Sequence, residues 1–392
     1  MKRRLFSLDI SIKAILLAGG LLGLFACSEA LQENTDANAE IDPVISLNGI
    51  WLFEQDGSIM ADPQTSGLVV REGKLISISD GSALPEQRRR LHFIDPESGI
   101  VEQKAGPMSM SSRVRRSCFA QYLSDEPDFE ALVVDPNDPS VFIIVTEDAT
   151  RTGALSPRCQ ERFSNTGSTA YPTLLVRVLL SDGKLTMTHV RPIQYPLDYA
   201  VGDFPNDGIE SLAFDKSGNL YLGLEKDNAG QPRIFSVKIS EAFWQESDFA
   251  AVHDPELLLP IFESGNHPIN GMDYLNVGEQ HPGLLIAAAR NDNQLWVIDL
   301  AKVEATRKID LRFLAPTLTG EIQECESFEV MDNSSLEGVA IAGDTIWLIN
   351  DPWKQNYLKN VQCPSNQARY SAMAPLLFSL PIQREWLAPY IQ

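Results

Sequence analysis

The sequence lacks the short motifs that identify the commonest hydrolases and nucleotide-binding enzymes. It contains no G-x-S-x-G nucleophile elbow, no H-E-x-x-H zinc motif and no P-loop. Histidine is scarce as well, with five in 392 residues. A serine triad or a zinc peptidase site therefore has no support in the sequence, and any catalysis must rely on other side chains.

Basic residues are also few. The chain has 32 Lys and Arg against 53 Asp and Glu, a net charge of −21. Removal of residues 1–27, which hold four basic residues and one acidic residue, leaves 28 basic and 52 acidic residues and a net charge of −24. Nucleic acid is a polyanion, so this balance argues against it as a partner.

The apolar run near the start of the chain is too short to span a membrane. Residues 14–26 form an apolar stretch of about 13 residues behind a basic start, whereas a spanning helix needs about 20. These features predict a signal peptide over residues 1–27. It ends in LFAC, which resembles the lipobox of bacterial lipoproteins and implies that Cys27 is lipidated.

The residues after Cys27 predict how the chain is attached. Residues 28–42 are mostly polar and predict a flexible tether. By the sorting rule of bacterial lipoproteins, Ser28 in place of an aspartate implies the outer membrane. We therefore expect a lipid-anchored protein of the bacterial outer membrane, periplasmic or surface-exposed, that contacts the membrane through its N-terminal lipid only.

Short hairpins recur along the rest of the chain. The stretch GIESLAFDKSGNLYLGLE (208–225) has two strand-length apolar runs around the turn-forming residues DKSGN, which predicts an antiparallel hairpin. Similar stretches occur at 66–80, 128–148, 269–290 and 335–351. A third apolar run follows each hairpin, at 90–94, 173–180, 233–239, 294–300 and 376–382.

Five such units are typical of a β-propeller, in which small sheets repeat around a channel. We therefore predict an all-β fold, a single β-propeller domain over residues 43–392 with five recognisable blades. The runs at 184–190 and 256–262 are candidate fourth strands. The segment ISLNGIWLF (45–53) could supply the fourth strand of the last unit and close the ring, or it could belong to a sixth, degenerate blade.

Apart from Cys27 the chain has four cysteines, and two units carry them at equivalent positions. Cys118 and Cys159 flank the second hairpin as Cys325 and Cys363 flank the fifth. This equivalence predicts the disulfides Cys118–Cys159 and Cys325–Cys363, in a compartment where disulfides persist.

Long loops and carboxylates fall at one end of the predicted ring. The connections 149–171 and 352–374 are the longest between second and third strands, and loops of this length are usually functional or disordered. In a hairpin the start of the first strand and the end of the second lie on the same face, so these loops and the acids at the hairpin ends would share one mouth. The predicted ring at that mouth comprises Glu130, Glu210, Asn270 or Asp273, and Glu337.

A ring of oxygen ligands suits Ca²⁺, which takes six to eight oxygens at about 2.3 to 2.6 Å. Carboxylates brought this close would otherwise repel one another and raise each other's pKa. We therefore predict a Ca²⁺ site on Glu130, Glu210, Asn270, Asp273 and Glu337. The alternative is structural: the acids could be hydrated or accept hydrogen bonds from backbone amides of a neighbouring blade.

A local reversal of charge lies beside these acids. Three arginines within 113–116 precede Cys118, and three more within 151–162 surround Cys159, so the predicted disulfide would gather them. Forked guanidinium donors bind phosphate or carboxylate well, although the arginines could instead offset nearby acids. The predicted substrate-binding residues are Arg115, Arg116, Arg151 and Arg290.

The hairpins NDGIESLAFDKSGNLYLGLEK and SSLEGVAIAGDTIWLIND are similar to the blade motif of the phytase-like β-propeller family, described as having esterase-like activity, in which a Glu-Gly or Glu-Ser pair opens the inner strand. The resemblance covers most of residues 60–382. It implies that Glu130, Glu210 and Glu337 belong to the functional channel. Ser66-Gly67 and Asn270-Gly271 replace the Glu-Gly pair in two units, so the acidic ring is incomplete there.

Two functions of different classes remain open. The first is a surface-anchored, Ca²⁺-assisted hydrolase of phosphate or other anionic esters, with Glu130, Glu210 and Glu337 as catalytic acids and the arginines orienting a small anionic substrate. The second is a non-catalytic propeller lipoprotein that displays its loop-rich face to a protein or glycan partner. Only the first requires turnover that depends on a metal ion.

Overall fold

Five small β-sheets, here called blades 1 to 5 in chain order, follow one another through the chain. The structure is a computed structural model that describes residues 43–104, 106–147, 149–199, 201–317 and 325–390. The predicted signal peptide, the lipidated Cys27 and the tether lie outside the described residues, so those three predictions stay predictions. No helix among the described residues has the length and apolar character that crossing a membrane requires.

Each blade is a meander of antiparallel strands. Blade 1 contains Thr65–Arg71, Lys74–Ser79, Leu91–Ile94 and Ile100–Lys104. Blade 2 contains Phe129–Asp135, Asp138–Thr146, Leu174–Ser181 and Lys184–Gln194. Blade 3 contains Ile209–Phe214, Asn219–Leu224 and Arg233–Lys238. Blade 4 contains Ile269–Leu275, Leu284–Ala289, Gln294–Asp299 and Arg307–Pro316. Blade 5 contains Leu336–Ala342, Thr345–Asn350 and Leu376–Pro381.

Short strands and helices complete the edges of the blades and the loops. Ser109–Met110 and Ala250–Ala251 pair with the fourth strand of blade 2, and Phe328–Met331 pairs with the fourth strand of blade 4. The α-helices are Ser112–Arg115, Ala120–Ser124, Pro157–Arg162, Gln367–Ser371 and Arg384–Leu387. The 3-10 helices are Glu241–Gln245, Arg290–Asp292, Tyr357–Asn360 and Pro364–Asn366.

The turn of the blade 3 hairpin shows why these sequences fold locally as predicted. The carboxylate of Asp215 accepts hydrogen bonds from the backbone amides of Ser217 and Asn219, both at 2.8 Å. Gly218 takes a φ of 79°, which suits a residue without a Cβ. The turn therefore sets the register that pairs Ile209 with Leu224 at the opposite end of the hairpin.

The first strand of each blade, here called its inner strand, contacts the inner strands of both neighbouring blades, and the five contacts close a ring. The inner strands approach so closely that side chains have no room between them. A Cβ on Gly271 would lie 2.9 Å from the carbonyl carbon of Gly338, and a Cβ on Gly338 would lie 2.9 Å from that of Gly67. Small residues are therefore required immediately after the residue that opens each inner strand.

The segment predicted to close the ring does so and also joins three blades. Ile45–Asn48 pairs with the fourth strand of blade 4, Ile50–Trp51 pairs with the last strand of blade 5, and Phe53–Glu54 pairs with the fourth strand of blade 1. The five-blade prediction is confirmed, and the described residues contain no sixth blade.

The predicted fourth strand at 256–262 is wrong. Blade 3 has three strands, extended only by an isolated bridge between Ser236 and His253. Apolar side chains from 257–262 pack instead against an apolar cluster shared by blades 3 and 4, and the carbonyl of Leu258 accepts a hydrogen bond from the amide of Thr306. Ile261 is 92% exposed. The apolar residues of this segment are thus explained by packing between blades, and the segment does not form a strand of either sheet.

Both predicted disulfides, Cys118–Cys159 and Cys325–Cys363, are confirmed, with Cα atoms 5.7 and 5.8 Å apart. The first joins the segment before blade 2 to the long loop after its second strand. The second does the same for blade 5. Disulfides of this kind are typical of proteins in oxidising compartments.

Candidate functional site

Two sets of residues meet at one mouth of the central channel. The opening residues stand near the start of each inner strand: Ser66, Glu130, Glu210, Asn270 and Glu337. The closing residues directly follow the second strand of each blade: Asp80, Glu147, Glu225, Arg290 and Asp351. All of these except Asn270 line one cavity of about 590 Å³. The repeat thus brings residues from the whole chain to one place.

A β-bulge aims four of the five opening residues, all except Ser66, into the channel. Ile209 pairs with Leu224 and Ser211 with Gly223, so Glu210 is an extra residue in its strand. The strand pairing skips Asn270 and Glu337 in the same way. A bulge of this kind bends the strand and redirects the side chain of the extra residue.

Four of the five closing residues are held by the last backbone hydrogen bond of their hairpin. The amide of Glu225 donates to the carbonyl of Gly208 at 2.8 Å, and the amide of Glu147 donates to that of Asp128 at 3.0 Å. Equivalent bonds hold Asp80 and Asp351, at 3.0 and 2.8 Å. Because the hairpin register sets these positions, the residue that follows the second strand of a hairpin lies at the mouth of the channel.

Carboxylates dominate this cavity. Oxygens of Asp128, Glu130 and Glu147 lie within 4.8 Å of one another, as do oxygens of Glu147, Glu210 and Glu225. Burial raises the pKa of Glu130, Glu147 and Glu210 well above the ordinary value, and repulsion among the neighbouring carboxylates raises it further. Without a cation these groups therefore resist ionising together.

Backbone amides and polar side chains of neighbouring segments fix individual carboxylates. The amide of Gly208 donates to Glu147 Oε1 at 2.7 Å, and the amide of Gly81 donates to Asp128 Oδ1 at 2.7 Å. Asn270 Nδ2 donates to Glu210 Oε2 at 3.1 Å. These bonds orient the acids, but they are too few to give every carboxylate oxygen of the cavity a hydrogen-bond donor.

Arg290 is the basic member of the closing set. Its guanidinium donates to Glu225 Oε1 at 3.2 Å and to Glu337 Oε1. Burial raises the pKa of Glu337 to about 8, with Asp351 adding to the rise and Arg290 opposing it. Burial alone would lower the pKa of Arg290, but Glu337 and the other carboxylates around it raise that pKa above its ordinary value. One arginine thus neutralises only part of the ring.

Three buried carboxylate oxygens at this mouth have no hydrogen-bond partner among the described residues: Glu225 Oε2, Glu337 Oε2 and Asp351 Oδ1. Glu225 is 5% exposed and Glu337 is 4% exposed, so bulk water does not solvate them freely. A buried carboxylate oxygen without a partner is costly. Hard oxygen atoms in this state are suitable ligands for a divalent cation, so the residues present fit a metal ion.

The structure brings the three predicted catalytic acids, Glu130, Glu210 and Glu337, to this cavity. Asn270 lies beside them through its hydrogen bond to Glu210. Asp273 does not reach the cavity, which corrects its predicted placement. Its carboxylate accepts hydrogen bonds from the amides of Tyr274 and Ile341, both at 2.7 Å, and so ties blade 4 to blade 5.

The predicted substrate-binding arginines separate into two groups. Arg151 and Arg290 line the channel cavity. Arg115 and Arg116 do not, which corrects their predicted placement: Arg115 Nε donates to the carbonyl of Met110 at 2.9 Å, and Arg116 lines a different cavity beside Cys118. Arg115 ends the short helix before blade 2, and Arg116 is the residue that caps it.

Sequence reasoning did not include several acids of this site among the predicted ligands. Glu147, Glu225 and Asp351 were visible as the acids that end three hairpins, and Asp80 ends the first. Asp128 precedes its inner strand by one residue. The signal that could have identified them was therefore their repeated position, because both ends of a hairpin lie at the same mouth.

Neither a protein-family model nor a curated protein sequence matches this chain. Among solved structures it is similar to a luciferin-regenerating enzyme, at 11% identity over 80% of this chain and 76% of that one, with a TM-score of 0.37. It is similar to a PQQ-bound aldose sugar dehydrogenase from Streptomyces coelicolor, at 12% identity over 82% and 97%, with a TM-score of 0.36. A structure from the GH130 family of mannoside phosphorylases is 9% identical over 84% and 85%, with a TM-score of 0.39. Likenesses this distant carry no argument about activity.

Proposed function

We propose that the acidic mouth binds Ca²⁺ and that the protein is a Ca²⁺-assisted hydrolase of phosphate or other anionic esters, a phytase-like propeller. The observation that carries this proposal is the set of buried carboxylate oxygens without partners, in a cavity lined by nine acidic residues and only two arginines, Arg151 and Arg290. An ion would supply positive charge, and Glu225, which carries one of these oxygens, belongs to a group of carboxylates close enough to hold it.

The chain offers two adjoining groups of ligands. Asp128, Glu130 and Glu147 form one, and Glu147, Glu210 and Glu225 form the other, with Glu147 shared. All are oxygen donors, which suits Ca²⁺ better than zinc or copper. When bound, the ion supplies charge neutralisation, polarisation of an ester oxygen and a lowered pKa for a bound water.

Arginines at the same mouth would bind the anionic part of the substrate. Arg151 comes from the long loop of blade 2 and is exposed at the rim of the cavity. Arg290 is fixed deeper by Glu225 and Glu337, so its guanidinium is oriented before a substrate arrives. A phosphate ester would therefore bind the exposed guanidinium of Arg151 and the fixed guanidinium of Arg290. Guanidinium groups bind phosphate oxygens well.

The proposed location follows from the N-terminal sequence. We propose that Cys27 is lipidated, that residues 28–42 form a tether, and that the propeller is held at the bacterial outer membrane by this lipid only. Both disulfides support an oxidising compartment. Labelling with a radioactive fatty acid in a bacterial host, with Cys27→Ser as the unlabelled control, tests the anchor.

Thermal melting in EDTA and across a Ca²⁺ titration tests the metal site. An ion that binds only the folded protein stabilises it by about 2.7 kcal/mol at one hundred times its Kd, so the melting midpoint must rise and saturate. We expect Glu210→Gln to abolish most of this rise. Glu97→Gln, at an exposed turn in blade 1, removes the same charge and should leave the rise unchanged.

Hydrolysis of p-nitrophenyl phosphate and bis(p-nitrophenyl) phosphate, both anionic esters, then tests the activity. The proposal expects turnover that requires Ca²⁺ and is lost in Glu210→Gln. A melting response to Ca²⁺ without hydrolysis of any ester would instead support the non-catalytic propeller, which displays its loop-rich face to a protein or glycan. No response to any divalent ion would overturn the metal-assisted mechanism.

A further inference from the structure

A second cavity of about 560 Å³ lies beside the Cys118–Cys159 disulfide, and it shares no lining residue with the channel cavity. Its position is defined by Val190, on the fourth strand of blade 2, and by Ser247, which follows a 3-10 helix after blade 3. Four arginines line it: Arg113, Arg116, Arg158 and Arg162. Glu161 is the only acidic residue in the described lining. A basic cavity is unexpected in a chain with a net charge of −21.

The disulfide and an aromatic pair build this cavity from two distant segments. Arg113 belongs to the helix Ser112–Arg115, and Arg158 and Arg162 belong to the helix Pro157–Arg162. Under these helices Phe119 and Phe163 are buried, with ring centroids 5.1 Å apart. The cavity therefore has a fixed floor and does not depend on loops that are free to separate.

Two of the four guanidiniums are anchored to the chain that follows blade 3. Arg113 Nη2 donates to the carbonyls of Trp244 and Gln245, both at 3.0 Å. Arg162 Nη2 donates to Ser247 Oγ at 2.9 Å and also pairs with Asp248. These bonds orient the two side chains and leave other N–H groups of each fork available.

The other two guanidiniums, those of Arg116 and Arg158, form no ion pair among the residues that the structure describes. The four arginines are exposed, and Glu161 and Asp248 offset only part of their charge, so a bound anion would be attracted to the remainder. Guanidinium forks match the oxygens of a phosphate group, and Ser117 adds a hydroxyl to the same lining.

We propose that this cavity is an anion-binding site for a phosphate-bearing ligand, separate from the channel. Arg116 and Arg158 bind the phosphate oxygens, and the anchored Arg113 and Arg162 set the width of the site. The buried rings of Phe119 and Phe163 support these side chains from below. The volume is in the range of small-molecule sites. The phosphate could belong to a free phosphate ester or to the headgroup of a lipid.

Calorimetric titration with inorganic phosphate and pyrophosphate, in EDTA, tests this site independently of the channel. EDTA removes Ca²⁺, so phosphate bound through a metal in the channel makes no contribution. We expect saturable binding that the double variant Arg116→Gln/Arg158→Gln weakens by about tenfold or more, since hydrogen bonds to charged groups contribute about 1.5 to 3 kcal/mol.

The control variant is Arg115→Gln/Arg384→Gln, which removes the same charge at two exposed positions outside the cavity. It should bind both anions like the unaltered protein. Circular dichroism melts of both double variants in EDTA confirm that each is folded. Equal weakening in the control would show general charge attraction and would overturn the site.

Vesicle sedimentation distinguishes the source of the phosphate. The probes are phosphatidylcholine vesicles with and without phosphatidic acid, again in EDTA. Binding to phosphatidic acid vesicles that is lost in Arg116→Gln/Arg158→Gln, with weak binding of the free anions, identifies a lipid headgroup. Tight binding of the free anions without vesicle binding identifies a soluble phosphate ester. Binding of neither probe would overturn the proposal whether or not the channel proves to bind Ca²⁺.

Discussion

At the scale of single residues, the pairing of an acid with a small neighbour has a physical explanation. The bulge turns Glu210 and Glu337 into the channel, and the next residue then faces an adjacent inner strand. Gly338 has no room for a Cβ because the backbone of Gly67 and a side-chain atom of Leu68 are within 3 Å of its ideal position. The Glu-Gly pair thus combines a functional side chain with close packing between the backbones of neighbouring inner strands.

Asp273 provides a residue-scale prediction that separates structure from metal binding. In Asp273→Asn, only one of the two side-chain atoms that receive the amides of Tyr274 and Ile341 can still accept. We expect a loss of about 1 to 3 kcal/mol in the free energy of unfolding, measured by urea denaturation, with an unchanged Ca²⁺ response. Asp344→Asn, at an exposed turn, is the control and should lose little. A weakened Ca²⁺ response in Asp273→Asn would return this residue to the metal site.

At the scale of elements, the segment 45–54 shows how the ring is closed. Three very short strands in this segment pair with blades 4, 5 and 1 in turn. Trp51 Nε1 also donates to the carbonyl of Pro316 in blade 4 at 2.9 Å, and its ring contacts Tyr370 edge-on at 5.2 Å. The repeat pattern predicted that this segment would pair with the last blade and close the ring. Its additional pairing with blades 4 and 1 depends on contacts between residues far apart in the chain.

Trp51→Ala therefore has a predicted cost larger than that of an ordinary edge-strand residue. Trp51 is 4% exposed, and its loss removes a buried ring and a hydrogen bond between blades. We expect the free energy of unfolding to fall by about 3 to 5 kcal/mol in urea denaturation. Val44→Ala, at a side chain that is 51% exposed, should lose less than about 0.5 kcal/mol. A small loss in Trp51→Ala would show that the segment does not hold the ring closed.

At the scale of the whole molecule, polar and charged side chains from all five blades meet at one mouth of the channel. The blade 2 hairpin supplies one group of ligands, Asp128, Glu130 and Glu147, whereas the other group needs Glu147 from blade 2 and Glu210 and Glu225 from blade 3. Burial and mutual repulsion raise the pKa of Glu130, Glu147 and Glu210, and burial raises that of Glu337 to about 8. The stability of the folded chain is therefore linked to the protonation of the ring.

This linkage predicts how the metal-free protein responds to pH. Because the folded-state pKa values lie above the unfolded value of about 4.3, the stability that protonation contributes is complete below that value and is lost as pH rises through the folded pKa values. In EDTA we expect the melting temperature to fall between about pH 5 and about pH 8, by calorimetry. Saturating Ca²⁺ should reduce this fall in melting temperature. The melting temperature of the control Glu97→Gln should depend on pH as that of the unaltered protein does. A melting temperature that rises over this range in EDTA would contradict the description of the ring.

Acids with lowered pKa values do not complicate this test. Hydrogen bonds from Lys74 and Ser98 lower the pKa of Asp95 to about 2, and the hydrogen bonds of Ser140 lower that of Asp138. Their contribution to stability is present above the unfolded value of about 3.9 and is lost only as pH falls below it. The range between about pH 5 and about pH 8 therefore reports on the buried ring, together with Asp273, whose pKa burial raises to about 6, and His189, whose pKa burial lowers.

The sequence by itself determined the five hairpin units, the third strands, both disulfides and the presence of Glu130, Glu210 and Glu337 at one mouth. Those features depend on local alternation, turn chemistry and repeated position, which are readable along the chain. Only the tertiary structure decided that Asp273 bonds to blade 5, that Arg115 and Arg116 stand away from the channel, and that 256–262 packs without pairing. The reason is that burial, charge repulsion and anchoring arise between residues of different blades, whose distances are set only when the ring closes.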